Sequence, residues 1–233
     1  MEHLYDTHFH LDLQKDRTTA IRDIEEHQIY TIAVTNLPDL YRKESSEIAS
    51  KYIRFALGFH PELVYQYKSQ IPLMWELLSD ARYIGEVGLD FVDVTHKNEQ
   101  LAFFSELIER CRYDSNKIIT IHSRKAVRQV LNIIGNNFRF KPILHWFTGS
   151  KKELLNAIEN GFYFSVNKSM MNTKKFQSML ALIPKERLLF ETDSPFISFP
   201  YSHHNTLNKI CQLIKEEKED VNMWNNFKSI LGS

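Results

Sequence analysis

The sequence predicts an α/β chain folded as a (β/α)8 TIM barrel, on three observations. Short apolar runs rich in β-branched residues alternate with longer, charged, amphipathic runs, the order produced by parallel strands with crossover helices. The alternation repeats eight times, the number that closes a barrel, and 233 residues suit that architecture. No glycine-rich phosphate loop follows the first strand, which weighs against an open, doubly wound sheet.

Taken in order, strands are expected at Leu4–His8, Ile29–Thr35, Arg54–Phe59, Tyr83–Val87, Lys117–His122, Pro142–Trp146, Phe162–Val166 and Arg187–Thr192. Helices are expected near 16–28, 42–52, 69–80, 97–114, 124–136, 150–160, 172–182 and 204–218. No linker, repeat or low-complexity tract divides the chain, so one domain is expected across residues 1–233. The run Lys215 to Asp220 reads as a solvated helix end. With 43% hydrophobic and 12% aromatic residues the chain can build a large core, and nothing in its composition suggests disorder. Its 29 basic and 29 acidic residues leave a formal net charge of +0, so a nucleic-acid partner requires a local basic patch. Cys111 and Cys211 lie far apart with no Cys-x-x-Cys pair, which favours reduced thiols in a cytoplasmic protein. Neither a signal-like N-terminus nor an apolar stretch long enough to span a membrane is apparent, so no membrane partner is expected.

In such a barrel the chemistry belongs at the C-terminal ends of the strands. His8 and His10 are two apart on a strand, so both imidazoles leave one face, with Asp6 a step behind. Two converging neutral imidazoles suit a borderline-soft divalent cation. Later strand ends add Glu86 between Gly85 and Gly88, then His122, His145 and Asp193. One strand-end histidine or aspartate is ordinarily structural; metal-type groups at five strand ends together point to a metal centre. His60, after Gly58-Phe59 at the tip of the third strand, faces the same mouth and is the non-ligand candidate for touching substrate. His3 and His27 read as surface or structural, His96 as exposed, and His203 and His204 as residues of a helix start.

The motifs Asp6-Thr7-His8-Phe9-His10-Leu11-Asp12, Gly58-Phe59-His60-Pro61 and Gly85-Glu86-Val87-Gly88-Leu89-Asp90 occur in this order. His122-Ser123-Arg124, His145-Trp146-Phe147-Thr148-Gly149 and Glu191-Thr192-Asp193-Ser194-Pro195 follow. Together they resemble the TatD family of metal-dependent hydrolases and DNases in the amidohydrolase superfamily. The likeness extends to Gln100-x-x-Phe103, to Ile183-Pro184-x-x-Arg187-Leu188 and to Asn226-Phe227 near the C-terminus. What the resemblance implies is a short member with two divalent ions (Zn2+, Mg2+ or Mn2+). His8 and His10 would hold one ion, Glu86 would bridge, His122 and His145 would hold the second, and Asp193 would contact the first and serve as general base. Such a site suits attack of an activated water on a phosphodiester, with Arg124 placed either to clamp a phosphate oxygen or as a surface arginine at a helix start.

The sequence departs from the family pattern after Ser194, where the loop to Leu207 is short and lacks the usual basic residue and Asn-Glu-Pro stretch. Phe196, Phe199 and Tyr201 in that loop are expected to pack it on the barrel top, with base stacking as the other use. Basic residues after strands five to seven (Arg124, Lys125, Arg128, Lys151, Lys152, Lys168, Lys174 and Lys175) offer a positive rim. The expected function is a metal-dependent deoxyribonuclease acting on single-stranded or frayed DNA ends. The alternatives are a hydrolase of an amide, ester or aminoacyl bond, and a TatD-like subunit of a multi-protein complex such as an anti-phage defence system.

Overall fold

The computed structural model describes residues 3–197 and 202–232. The strands are β1 (Tyr5–Phe9), β2 (Tyr30–Val34), β3 (Ile53–Ala56), β4 (Tyr83–Gly88), β5 (Ile118–His122), β6 (Lys141–His145), β7 (Tyr163–Val166) and β8 (Leu188–Phe190). All the ladders are parallel, and neighbours follow chain order from β1 to β3 and from β4 to β8. Backbone bonds at two seams join these groups into a barrel. At the first, Leu57 N–H donates to Tyr83 C=O and Gly85 N–H to Leu57 C=O, both at 2.9 Å, while Phe59 N–H reaches Glu86 C=O at 3.0 Å. At the second, Asp193 N–H donates to His8 C=O and His10 N–H to Ser194 C=O, both at 3.0 Å. Closing the barrel therefore uses the backbone of the very residues that the sequence places at the mouth.

The strand pairing slips twice, between Asp6 and Phe9 on β1 and between Ile84 and Val87 on β4. A local slip re-aims side chains without ending the sheet, and here the slips bracket His8 and Glu86. The glycines flanking Glu86 serve the neighbouring strand rather than a ligand. A Cβ on Gly85 would lie 2.1 Å from Thr120 Cγ2, and one on Gly88 would lie 2.1 Å from the His122 carbonyl oxygen. Both glycines also have positive φ, which a side chain disfavours.

The helices are α1 (Arg17–Glu26), α2 (Pro38–Glu47), α3 (Ile71–Leu78), α4 (Lys97–Cys111), α5 (Val127–Ile134) and α6 (Lys151–Glu159), then α7 (Lys168–Met171), α8 (Lys174–Leu180), α9 (His203–Glu217) and α10 (Met223–Leu231). Three differ from expectation. The helix expected at 42–52 starts at Pro38, whose fixed φ suits a first turn, and ends at Glu47 because Ile48 is extended. The run expected at 172–182 forms α8 alone, capped by Thr173 through Phe176 N–H, while the short α7 before it, capped by Asn167 through Met170 N–H, was not expected. The third, α10, was not expected as a helix. Its Asn226 Nδ2 donates to the carbonyls of Lys185 and Leu188 at 2.6 and 2.8 Å, which ties it to the start of β8. Phe227 then stacks on Tyr5 at 4.3 Å, and Phe190 covers the same ring at 4.1 Å. This explains the placing of Asn226-Phe227: the pair closes one end of the core. Cys111 is buried and Cys211 half-buried, neither in a disulfide. Burial pushes the Cys111 thiol up to about 12, so it packs as an unreactive apolar group. No described helix is long and apolar enough to cross a membrane.

Candidate active site

Four donor atoms meet at the end of β1. His8 Nε2 and His10 Nε2 are 3.3 Å apart. Glu86 Oε2 lies 3.4 and 3.5 Å from them, and Asp193 Oδ1 lies 3.7 and 3.5 Å. Ligand atoms about 2.0–2.2 Å from a tetrahedral cation stand about 3.3–3.6 Å from one another, so His8, His10 and Asp193 are spaced to hold one, with Glu86 Oε2 close to both imidazoles. The other oxygen of the same carboxylate, Glu86 Oε1, lies 2.6 Å from His122 Nδ1 and 3.2 Å from His145 Nε2. A second donor cluster therefore shares Glu86 with the first. All six groups expected as ligands come together.

The outer ring nitrogens decide which nitrogen faces the centre. His8 Nδ1 meets Thr120 Oγ1 at 3.0 Å, His122 Nε2 meets Asp90 Oδ2 at 2.8 Å, and His145 Nδ1 meets Glu191 Oε1 at 3.2 Å. Such partners fix ring orientation and keep the inner nitrogen available as a lone pair. Asp90 is anchored in turn by Val92 N–H at 2.9 Å, and Glu191 Oε1 accepts from Trp146 N–H and Asn167 Nδ2 at 3.2 and 2.9 Å. Asp90 and Glu191 stand within their sequence motifs, but nothing in the linear order gives either a role. The available signal was a carboxylate within two positions of a strand-end glycine or aspartate.

His60 stands apart from these ligand-competent rings. Its Nε2 is 3.8 Å from Glu86 Oε1, near enough to group it with Glu86 and His122 as potential metal donors. Its Nδ1, however, accepts from Glu62 N–H at 3.4 Å, so the proton sits on Nε2, which can then only donate. Burial lowers His60 to about 4 despite the nearby Glu86 carboxylate, which keeps it neutral with that N–H. Its Nε2–H is therefore a donor at the edge of the second cluster. Burial alone would raise Glu86, yet His60, His8, His122 and His145 together hold it well below the usual carboxylate range. Burial alone would lower His145, but Glu191 and Glu86 outweigh it and hold the imidazole well above its ordinary value. A buried carboxylate cluster attracting protons onto its histidines is one that a cation would neutralise in their place.

The centre opens into a cavity of about 610 Å3, whose lining includes His60, Arg124, Trp146, Asp193 and Phe196. Asp193 and Trp146 hold left-handed φ of 51° and 39°, a strained backbone that concentrates at functional sites. Arg124 has a 57% exposed side chain, with Nη1 3.7 Å from Asp90 Oδ2, so it reaches the mouth from the far side of His122. Of the expected basic rim, Lys175 donates to the Thr148 carbonyl at 2.9 Å and ties the first turn of α8 to the loop after β6. The histidines read as surface, structural or exposed make ring contacts outside the donor clusters. His3 packs on Trp224, His27 stacks on His204 at 4.0 Å, and His96 stacks on Tyr65 at 3.5 Å. His203 opens α9 and donates from Nε2 to Asp6. Phe196 does not pack the loop as expected, being 64% exposed in the cavity. Phe199 and Tyr201 lie outside the described residues.

A (β/α)8 barrel whose strand ends gather imidazoles and carboxylates around a shared glutamate defines a metal-dependent hydrolase. The chain belongs to the TatD-related DNase family, whose model matches residues 5–232. It is 29% identical over 235 residues to an uncharacterized metal-dependent hydrolase, YabD, of Bacillus subtilis, covering 93% of this chain and 91% of that one. It is 25% identical over 195 residues to a 3'-5' ssDNA/RNA exonuclease, TatD, of Pantoea ananatis, covering 78% and 74%. The fold superposes on YJJV, a TatD homolog of Escherichia coli K12, with a TM-score of 0.79 at 16% identity, covering 100% of this chain and 99% of that one.

Proposed function

We propose that the protein is a two-cation phosphodiesterase, a deoxyribonuclease acting on single-stranded or frayed DNA ends. The observation that carries this reading is Glu86. One of its oxygens joins the donor set of His8, His10 and Asp193, and the other joins that of His122 and His145. Bound there, two divalent cations (Zn2+, Mg2+ or Mn2+) would activate a water and offset charge gathering on a phosphoryl group. The chain's own groups divide the remaining work. Asp193 takes the water's proton, His60 Nε2–H donates to a substrate oxygen, and Arg124 pairs with the anionic phosphate. The four histidines suit zinc on softness, while magnesium and manganese suit phosphate chemistry. The exonuclease name of the Pantoea relative supports a nucleic-acid substrate.

Protein purified without chelator is expected to carry about two equivalents of divalent ion and to degrade single-stranded DNA. Because protons compete for His122 and His145, whose carboxylate neighbours raise them against burial, ion occupancy falls as the pH drops. Absence of DNA hydrolysis with zinc, magnesium and manganese alike overturns the reading.

Glu191 provides a separate check on the second donor cluster. An alanine there frees His145 Nδ1 and is expected to weaken ion binding about 10–100-fold in a chelator competition, with partial rescue by Glu191→Gln. Equal affinity in all three proteins would remove Glu191 as the positioning residue of His145.

A further inference from the structure

We infer that Phe196 is a stacking platform for one unpaired nucleobase next to the scissile phosphate, and that it sets the preference for single-stranded ends. The inference rests on the phosphodiesterase reading and deepens it. Among the described residues Phe196 is the most exposed large apolar side chain, at 64%, while its neighbour Ile197 is buried at 8%. A phenyl ring left in water forgoes the gain of burial, and an exposed aromatic within a catalytic cavity marks a binding surface.

The ring is also held in place. Phe196 N–H and Ile197 N–H both donate to the Asp193 carbonyl, at 2.9 and 3.3 Å, so a tight turn links the ring to that residue. Its centroid is 5.0 Å from that of His10, with the two planes at 85°. This right-angle contact fixes the ring without stacking on it. The ring thus lies within one nucleotide's reach of the donor cluster, in the cavity that Arg124 also lines. Another exposed aromatic, Tyr65 at 41%, does not line this cavity, and His96 already stacks on it at 3.5 Å while Lys68 sits over it at 5.1 Å.

The occupant follows from the chemistry of the pair. A donor cluster that would hold a cation, with an exposed aromatic ring adjoining it at His10, matches a phosphate and its attached base. A base inside a duplex has both faces covered by its neighbours, so Phe196 selects bases of a single strand or at a strand end over internal paired ones.

The test uses single-stranded oligodeoxynucleotides in which one abasic site is moved stepwise along the strand, with kcat/KM measured on the metal-loaded full chain. In the wild type, one abasic position is expected to lower kcat/KM about 5- to 150-fold. In Phe196→Ala that ratio falls to about one, and Phe196→Trp restores it. The position is exposed, and the tryptophan variant keeps the outcome readable even if the alanine variant is poorly folded. An abasic penalty of the same size in wild type and both variants overturns the platform and leaves the nuclease reading intact. If the wild type cleaves neither intact nor abasic strands, the reading itself fails and the platform with it.

Discussion

An Asp193→Asn variant is expected to hydrolyse single-stranded DNA about 10²- to 10⁴-fold more slowly than the wild type, the range for losing one positioned general base. Asparagine keeps the shape of the side chain and one oxygen to face His8 and His10, whose Nε2 atoms lie 3.7 and 3.5 Å from Asp193 Oδ1. What it loses is the capacity to take a proton. The two effects separate by measurement, because a pure loss of base lowers kcat while ion content stays near that of the wild type. The left-handed φ of 51° is no obstacle, since asparagine is among the residues that best tolerate that region. A rate within a few-fold of wild type would show that another group accepts the proton, and would withdraw Asp193 from that role.

The second large effect concerns Asp6, which takes no part in the chemistry. It is fully buried, and its two oxygens accept four bonds. Oδ1 accepts from His8 N–H at 3.0 Å and Thr192 N–H at 3.1 Å. Oδ2 accepts from the Thr192 hydroxyl at 2.5 Å and from His203 Nε2 at 2.8 Å. One side chain thereby joins β1, the chain leaving β8 and the start of α9 across the closing seam. Asp6→Ala strands buried donors, and the expected loss is about 3–5 kcal/mol. At about 2–4 °C per kcal/mol for a chain of this size, the melting temperature falls by about 6–20 °C. Melting in the presence of a chelator removes any contribution from ion binding. A fall of less than about 2 °C would show that water or a shifted strand replaces the carboxylate.

These two aspartates show how far the linear reading reaches. Asp193 stands out because it follows an apolar run and precedes Ser194-Pro195, and a strand-end carboxylate in a barrel points to the mouth by topology alone. Asp6 is as legible as a strand residue, but its four partners come from residues 8, 192 and 203, so its role as a tie exists only after closure. The same holds for the missed helix α10. Its significance lies in Asn226 meeting the carbonyls of Lys185 and Leu188 and in Phe227 meeting Tyr5, contacts that no local periodicity contains. The signals for α7 and α8 were present as two capping residues, Asn167 and Thr173, of which Asn167 lies before the run expected as a helix.

By itself the sequence determined the eight-unit barrel, the family, and the six groups His8, His10, Glu86, His122, His145 and Asp193 at its mouth, because strand periodicity and strand order are local properties that dictate which ends share a face. Tertiary structure alone decided how those groups are used. It put His8, His122 and His145 under the hold of Thr120, Asp90 and Glu191, set between the two donor clusters the carboxylate of Glu86, and made His60 a donor through the backbone of Glu62. It also left Phe196 in the cavity when the loop pattern pointed to packing. The physical reason is common to all of these but His60, whose partner lies two residues away. Which ring nitrogen faces inward and which ring stays wet depend on partners far away in the chain, and only the closed barrel brings those partners within hydrogen-bonding or packing distance.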